Sequence, residues 1–379
     1  MQICFILGLL ILFRSSFFIG ENDWTYARAL RRWLCGLALQ RMDVHPLFTA
    51  LYFFDVKIRL TQIDGKLPNL ALMKLSHYFK GQGHEVYFEQ SVTRSIFEPN
   101  YDLVFGSAIF STSEKKLKLF KSHFPSAKVG GTGSGEKWTV EDFTGEYPDQ
   151  YDYSIYPDFR HSIGFSQRGC RLRCKFCVVP EKEGKNRSVN SIGEIWRGDP
   201  YPKNLLLLDN DFFGQPDWRE KSEEIIAGGF KVCFSQGINI RLFDREAAGV
   251  LARMKYYDDA FERRRIYTAW DNLRDAEIFF RGIGYLTDAG VKPDEIMVYF
   301  LCNYWQKGLT NDVLERFERM REIGLRPYPM VFDIQSADKK IKSFQTWVIR
   351  RAYMKIPFED YYGSGFRRVD YTCSLFSLR

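Results

Sequence analysis

Three cysteines lie close together near the middle of the chain, and their spacing constrains the protein more than any other feature. The segment Gly169–Cys177 has the sequence GCRLRCKFC, which gives the pattern C-x3-C-x2-C. Thiolates favour soft metals and iron–sulfur clusters, and a short loop can wrap three of them around one face of a cluster. Three chance core cysteines would not have Arg171, Arg173 and Lys175 beside them. We therefore expect an iron–sulfur site whose fourth iron is open to a small molecule.

Other uses of these cysteines fit the sequence less well. A structural zinc site normally takes four ligands in paired spacings, and the nearest other candidates, Cys233 and His161, do not make such a pair. Disulfides do not suit three close cysteines in a chain of 379 residues that has only eight cysteines. Zinc binding and chance stay as the alternatives. No other group of cysteines has suitable spacing, so we expect no second cluster.

The composition is that of an ordinary globular protein, with 45% hydrophobic and 27% charged residues. It excludes a wholly disordered chain, a collagen-like chain and a multi-span membrane protein. The length allows two or three domains, or one large barrel with an appendage. The net charge of +7 is compatible with an anionic substrate but does not require one.

The first fifty residues do not match the rest of the chain. Residues 3–13 form an apolar run that is shorter than the roughly 20 residues of a membrane-spanning helix. The run has no charged stretch before it and no clear cleavage site after it. We treat residues 1–50 as an uncertain extension, with an upstream start, a membrane anchor and a cleaved signal as alternatives. We expect a cytoplasmic protein without a stable membrane partner, because the cysteine chemistry needs a reducing compartment.

Residues 51–140 alternate between strand-like and helical patterns. The predicted strands are 56–61, 84–89, 101–107 and 127–131, and the predicted helices are 69–82 and 113–123. This order predicts a small doubly wound, Rossmann-like domain with a parallel sheet. The glycine-rich run 130–135 follows its last strand but lacks the spacing of a dinucleotide fingerprint or a P-loop. A tight turn is therefore favoured there over a phosphate site.

The rest of the chain predicts a second α/β domain. Residues 141–160 are polar, aromatic and proline-containing, which is typical of a linker. Within residues 161–335, strand-like runs occur at 162–167, 204–210, 231–236, 265–270, 295–301 and 328–333. Six strand–helix repeats predict a partial (β/α)6 barrel, because eight-fold closure needs more chain. Residues 336–379 form a basic, aromatic C-terminal extension, for which a helical cap is favoured over a nucleic-acid surface.

The cysteine pattern, with Phe176 just before the last cysteine, resembles the radical S-adenosylmethionine (SAM) superfamily over residues 162–333. The resemblance implies that Cys170, Cys174 and Cys177 hold a [4Fe–4S] cluster whose fourth iron binds the amino and carboxylate groups of SAM. It implies that the reduced cluster cleaves SAM to methionine and a 5′-deoxyadenosyl radical, which abstracts hydrogen from a substrate. A one-electron reductant such as flavodoxin or ferredoxin is an implied partner. Phe176 is expected either near the adenine or in the core.

The resemblance also implies SAM contacts at the ends of the second and third strands. Asp209 or Asn210 stands where the family often has a Gly-Gly-Glu that meets the SAM amino group. Gln236, Asn239 and Arg241 follow the third strand and are candidates for the ribose and carboxylate of SAM. Arginine is suited to this because its guanidinium grips a carboxylate through two hydrogen bonds. A structural ion pair is the alternative role for Arg241.

A further candidate lies at the end of the fourth strand. Asp271 is expected either to contact SAM or the substrate, or to cap the helix that follows. Cys233 alternates with apolar neighbours, so we expect it in the core and not among the ligands.

The first domain resembles the cobalamin-binding type of Rossmann domain that precedes many radical SAM domains. The matching pieces are Leu72, Gly83–Val86, Tyr101–Ser107 and Val129–Gly131. The usual Asp-x-His-x-x-Gly motif, whose histidine is the lower ligand, is absent, so the resemblance leaves cobalamin binding open. If cobalamin binds, methyl transfer is the favoured reaction. If it does not, the domain is a scaffold or a lid.

The expected protein is thus a radical SAM enzyme that acts on an unidentified small-molecule or anionic substrate. Two alternatives stay open. One is a protein that keeps the cluster for binding or electron transfer without cleaving SAM. The other is a zinc-dependent nucleic-acid-binding protein built on the basic surfaces, and a nucleic-acid partner is the less favoured expectation.

Overall fold

A computed structural model describes residues 56–136, 138–145 and 150–363 of the chain. The predicted extension at residues 1–50 lies outside these ranges, as do the last residues of the C-terminal extension. The described residues form an α/β protein with three parallel sheets and one small antiparallel pair of strands. The expected α/β class is confirmed. Within the described ranges, no helix has the length and apolar character needed to cross a membrane.

The first sheet has the strand order β2-β1-β3-β4, and all its pairs are parallel. Its strands are β1 (Lys57–Gln62), β2 (Glu85–Glu89), β3 (Leu103–Ser107) and β4 (Lys128–Gly130). Its helices are α1 (Leu70–Gly81) and α2 (Glu114–His123). Helix α1 begins where predicted because the Asn69 side chain accepts a hydrogen bond from Leu72 N at 3.1 Å. Its buried face, with Met73 and Phe79, packs on β1.

The segment predicted to be a linker is packed against the first sheet. It contains α3 (Glu141–Thr144) and a 3-10 turn at Tyr153–Ile155. Tyr156 is buried, and its hydroxyl donates to Gln62 Oε1 at 2.7 Å. The Tyr153 hydroxyl bridges to the second sheet by donating to Ile163 O at 3.2 Å. The aromatic side chains of this segment bury apolar surface, and in doing so they join the two parts of the protein.

The second and third sheets contain all six strands expected in the second part of the chain and one further short strand, β10. The second sheet has the order β10-β9-β8-β5 and the third has the order β11-β12-β13, with parallel pairing throughout. Their strands are β5 (Ser162–Gly164), β8 (Asn204–Leu207), β9 (Lys231–Phe234), β10 (Lys255–Tyr256), β11 (Ile266–Ala269), β12 (Ile296–Cys302) and β13 (Arg326–Val331). The antiparallel pair, β6 (Gln167–Arg168) and β7 (Arg187–Ser188), closes the segment that carries the three cysteines.

In the described part of the chain, eight α-helices accompany these two sheets. They are α4 (Val179–Lys182), α5 (Ile192–Ile195), α6 (Trp218–Ala227), α7 (Arg245–Arg253), α8 (Ala276–Asp288), α9 (Asn311–Glu322), α10 (Lys339–Ile349) and α11 (Phe358–Gly363). All but α4, which buries no residue, contribute side chains to the larger core. Helix α9 has the predicted amphipathic pattern and buries Val313, Phe317 and Met320. Helices α10 and α11 place Trp347 and Tyr361 in the same core, so these two aromatic rings are not available for stacking on bases.

The opposite faces of the two sheets share a second, smaller core. Ile163, Leu206 and Cys233 of the second sheet meet Tyr267 and Tyr299 of the third sheet. Leu67 and Leu70 of the first domain pack against this cluster. The expected core position of Cys233 agrees with its complete burial.

The second and third sheets join at the carboxyl end of β9. Ile238 N donates to Tyr267 O at 2.8 Å, and Thr268 Oγ1 donates to Ile238 O at 3.0 Å. Gly237 makes this approach possible, because its φ is +85° and a Cβ there would lie 3.0 Å from Tyr267 O. The chain after β9 therefore runs beside β11, and the carboxyl ends of the two sheets meet at one edge.

Candidate iron–sulfur site

A cavity lies at the edge where the two sheets meet. It contains about 560 Å³ of space that no protein atom fills, part of it open to solvent. Its walls come from the cysteine loop, the end of β8, the segment after β9 and the end of β11. The residues expected from the sequence that line it are Cys170, Cys174, Cys177, Asn210, Gln236, Asn239 and Arg241. Side chains separated by up to about seventy positions in the sequence thus face the same space.

The three cysteines are free thiols and partly buried. Two of them accept hydrogen bonds, because Leu172 N donates to Cys170 Sγ at 3.4 Å and Arg241 Nη2 donates to Cys174 Sγ at 3.1 Å. Burial, aided by the nearby Asp211 carboxylate and the two other cysteines, raises the pKa of Cys170 to about 11, although the hydrogen bond from Leu172 N acts in the opposite direction. The Cys170 thiol is therefore protonated at neutral pH, and a metal that binds it must displace the proton.

The thiols are not gathered around a point. Among the described residues, no group of three or more His, Cys, Asp or Glu side chains is placed to hold a single metal ion. In an iron–sulfur cubane each thiolate binds a different iron, so the sulfurs lie further apart than the ligands of one ion. Three thiols that line one cavity, with N–H donors on two of the sulfurs, fit such a cluster better than a four-ligand zinc site.

Acidic and amide side chains hold the cysteine loop in place. Gly169 has a φ of +79°, and a Cβ there would lie 2.2 Å from Lys185 O, so the loop needs glycine directly before the first cysteine. Glu183 Oε2 accepts hydrogen bonds from Gly169 N and from Asn210 Nδ2, both at 3.0 Å. Glu183 thus ties the start of the loop to the end of β8.

The two neighbours at the end of β8 have different roles. Asp209 is buried and does not line the cavity; it accepts hydrogen bonds from Ser166 N at 2.8 Å and Gln167 N at 3.1 Å. Burial raises its pKa to about 6, although these hydrogen bonds and the positive charge of Lys221 act in the opposite direction. Asn210, by contrast, lines the cavity. Of the pair expected to meet an amino group, Asn210 is the one in position.

The segment after β9 supplies hydrogen-bond donors to the cavity. Asn239 Nδ2 is buried and has no hydrogen-bond partner in the protein. A buried donor without a partner is costly and points to a missing acceptor. Arg241 both donates to Cys174 Sγ and forms an ion pair with Asp275 at 3.2 Å. Gln236 Nε2 makes one long contact, 3.5 Å, to Ser235 Oγ.

Asp271 lies outside the cavity wall. Its Oδ1 accepts a hydrogen bond from Leu301 N at 3.2 Å, which fixes the ends of β11 and β12 relative to each other. It does not cap the following helical turn; the Asn272 side chain does so by accepting from Arg274 N at 3.0 Å. Asp271 therefore contributes to the site by holding its walls.

Phe176 packs away from the cavity against the loop after β12. Its ring meets Tyr304 at 5.5 Å and Trp305 at 6.5 Å between centroids, both edge to face. The cysteine loop is thus supported on one side by the end of β8 and on the other by the end of β12.

The carboxyl edge of the first sheet offers little for cobalamin to bind. Asp64 follows β1, and its carboxylate accepts hydrogen bonds from Ile109 N at 2.7 Å and Phe110 N at 2.9 Å. The backbone donors that a phosphate group would use there are therefore occupied. Residues 63–69, the loop after β1, contain no histidine that could act as a lower ligand. Cobalamin binding stays a prediction, and no role is derived for it here.

Sequence reasoning missed the partners that position the site, above all Glu183 and the ion pair between Arg171 and Asp211. The sequence held one chemical signal for these partners. A loop with several cations needs carboxylates nearby, but the sequence does not show which carboxylates these are.

In comparisons with known proteins, the sequence matches no protein-family profile and no curated protein.

Proposed function

We propose that this protein is a radical SAM enzyme. In this proposal the second and third sheets form a partial (β/α)6 barrel, the first sheet forms a Rossmann-like domain, and Cys170, Cys174 and Cys177 hold a [4Fe–4S] cluster. One observation carries the proposal. The three cysteines of the C-x3-C-x2-C pattern line the same cavity as Asn210, Asn239 and Arg241.

The polar residues of the cavity match the groups of an amino acid such as the methionine part of SAM. Asn210 donates through Nδ2 to Glu183, which leaves its Oδ1 as an acceptor for an ammonium group. Asn239 Nδ2 is a donor without a partner, and Arg241 adds a positive charge, so both suit a carboxylate. When bound, a [4Fe–4S] cluster supplies the single electron that cleaves the sulfonium of SAM.

Arg241 links the thiols to the proposed SAM site. Its guanidinium contacts Cys174 Sγ through Nη2 and Asp275 through Nη1. A donor that is held on a ligand sulfur helps to orient that ligand. Asp275 holds the guanidinium in this orientation, so that the residue serves both the ligand loop and the cavity.

The second, smaller core lies next to the cavity, because Ala269 packs against this core and also lines the cavity. Tyr267 and Tyr299 stack with ring centroids 5.8 Å apart and an interplanar angle of 5°. Thr268 and Ala269, which line the cavity, directly follow Tyr267 in β11. These packed aromatic rings would exclude water from the side of the cavity that faces the core.

The proposal includes two further expectations. The free thiols need a reducing compartment, so we propose a cytoplasmic location. The electron is proposed to come from a one-electron donor such as flavodoxin or ferredoxin. The proposal is made at the level of SAM cleavage, the opening step that methyl transfer, rearrangement, dehydrogenation and sulfur insertion share.

Anaerobic reconstitution tests the proposal. The full chain is loaded with iron and sulfide, given SAM and dithionite, and assayed for 5′-deoxyadenosine by mass spectrometry. We expect about four irons per chain and formation of 5′-deoxyadenosine. Cys174→Ala should lose both. Cys233→Ala, which removes a buried cysteine outside the cavity, is the matched control and should keep both. Zinc in place of iron, or SAM cleavage by Cys174→Ala, would overturn the proposal.

A further inference from the structure

Trp305 is a large exposed aromatic residue beside the cysteine loop. It follows β12 at the carboxyl edge, and 48% of its surface is exposed. Its Nε1 donates to Asp271 O at 3.1 Å, and its ring packs edge to face on Tyr304 at 4.9 Å. The ring of Phe176 also packs against the indole, and these three contacts together hold it in a fixed position. An exposed but immobilised aromatic ring is suited to contact a ligand, because little side-chain entropy is lost on binding.

Three cations come from the segments that support this ring. Lys175 precedes Phe176, Arg274 lies three residues after Asp271, and Lys307 lies two residues after Trp305. All three are exposed, and within the part of the chain that the structure describes none forms an ion pair with a carboxylate. Arg168, Arg171 and Arg241 differ from them, because each is paired with an acid. We call Lys175, Arg274, Trp305 and Lys307 the aromatic rim.

We propose that the aromatic rim binds single-stranded nucleic acid, with one base stacked on Trp305 and the neighbouring phosphates beside Lys175, Arg274 and Lys307. Stacking on an aromatic ring together with unpaired cations is the general way in which proteins hold single strands. Calling this strand the substrate rests on the proposed function, whereas the binding itself does not. A base held at the rim lies next to the cysteine loop, and an unpaired base is one that an enzyme can reach.

The chemistry of the rim favours nucleic acid over an acidic protein. Carboxylates would neutralise the cations equally well, but carboxylate side chains do not stack on an indole as a base does. A duplex keeps its bases stacked on one another and offers the ring no partner. The basic C-terminal segment is a weaker candidate, since Trp347 and Tyr361 are buried in the core.

Fluorescence anisotropy with the full chain tests this inference. The probes are labelled single-stranded oligouridine and oligothymidine of about 12 nucleotides, within the usual range of site sizes. Three phosphate contacts predict that the logarithm of the binding constant falls with the logarithm of salt with a slope of about −2. We expect Trp305→Ala to weaken binding about tenfold or more. Trp305→Phe, which keeps a stacking face, should restore most of the affinity.

Charge variants separate the rim from general electrostatic attraction. Lys307→Gln should weaken binding and reduce the salt slope by about 0.7. Lys116→Gln removes an equally exposed lysine from α2 and should bind as the wild type does. Iron content and the denaturation midpoint of each variant show whether the loop and the fold survive. Equal binding of RNA and DNA probes supports stacking without recognition of the sugar, and preference for RNA supports an RNA substrate.

Three results would overturn the inference. They are absence of salt-dependent binding, unchanged affinity in both Trp305→Ala and Lys307→Gln, and competition by polyphosphate or poly-glutamate as strong as that by the oligonucleotide. The outcome is separate from that of the proposed function. SAM cleavage without any oligonucleotide tests the enzyme class, and oligonucleotide binding by unreconstituted protein tests the rim.

Discussion

Arg171, between the first two cysteines, forms a two-pronged ion pair with Asp211, which lies just beyond β8. Nε lies 2.7 Å from Oδ2 and Nη2 lies 3.0 Å from Oδ1. The Arg171 backbone N also donates to Oδ2 at 3.2 Å, so that one carboxylate holds both the side chain and the main chain of the loop. Asp211 is almost fully buried. A buried charge 40 residues away in the sequence therefore holds the part of the loop between the first two cysteines.

Breaking this pair should loosen the loop. Arg171→Gln leaves Asp211 buried without its cation, and we expect the free energy of unfolding to fall by about 2–3 kcal/mol. The iron retained after reconstitution should fall as well. Arg171→Lys should rescue only part of the loss, because an ammonium cannot make the two-pronged contact. Urea denaturation and iron analysis measure the two effects.

Arg173→Gln is the control for this prediction, since Arg173 is an exposed arginine of the same loop and, unlike Arg171, does not pair with Asp211. It should change neither stability nor iron content. Full iron retention in Arg171→Gln would show that the ion pair does not position the ligands.

Asn239 should contribute to SAM binding and not to stability. Its Nδ2 has no partner in the protein, so Asn239→Ala should leave the free energy of unfolding unchanged or raise it. Loss of one hydrogen bond to a charged group should weaken SAM binding by about tenfold. Asn239→Asp should weaken binding more, because it places a negative charge near the SAM carboxylate. Calorimetric titration with the reconstituted protein measures affinity, and wild-type affinity in both variants would exclude this contact.

Asp209 should make stability depend on pH in the mildly acidic range. Burial raises its pKa to about 6 in the folded protein, above the ordinary value of 3.8. Between these values the folded state binds the proton more strongly, so stability falls as pH rises from about 4 to about 6. A shift of this size corresponds to about 3 kcal/mol.

Asp209→Asn should remove this dependence. The amide oxygen can still accept from Ser166 N and Gln167 N, while the group no longer ionises. Denaturation midpoints of the wild type and the variant between pH 4 and pH 7 measure the difference. Parallel pH profiles for the two proteins would contradict the assignment of the raised pKa to Asp209.

Asp152 should have the opposite effect at lower pH. Burial alone would raise its pKa, but hydrogen bonds from Lys80, Ser154 and Ser76 hold it at about 2. The stability it contributes is complete above the unfolded value near 3.8 and is lost as pH falls through about 2. Asp152→Asn should thus lower stability at neutral pH, by about 1–2 kcal/mol from weakened hydrogen bonds. At pH 2 the variant and the wild type should converge, and a constant difference would contradict the prediction.

Local patterns in the sequence predicted most of the longer strands and helices and singled out the three cysteines; they did not predict the short elements β6, β7, β10, α3 and α4. The stretch 311–323 has the periodicity of an amphipathic helix, and α9 occupies Asn311–Glu322. The apolar run 204–210 predicts a buried strand, and β8 occupies its first four residues. The strand ends earlier than predicted because Asp209 turns inward, where it accepts hydrogen bonds from Ser166 and Gln167.

Local sequence patterns could not predict which residues that are far apart in the chain contact each other. The sequence offered Asp209 and Asn210 equally, and alternation of side chains within a loop does not decide which one faces a cavity. The segment 141–160 looked like a linker because it is polar, yet its aromatic rings find burial only against strands elsewhere in the chain. The partner of Arg171 was one carboxylate among the chain's 47 acidic residues.

The sequence by itself therefore determined the α/β class, the succession of strands and helices, and the grouping of three cysteines in one short loop. These depend on residue type and on spacing over a few positions. Only the tertiary structure decided that Asn210, Asn239 and Arg241 face the thiols, that Asp209 and Asp271 hold the walls, and that Trp305 is exposed beside the loop. Such contacts join residues that are far apart in the chain, and they depend on how the two sheets meet after Gly237.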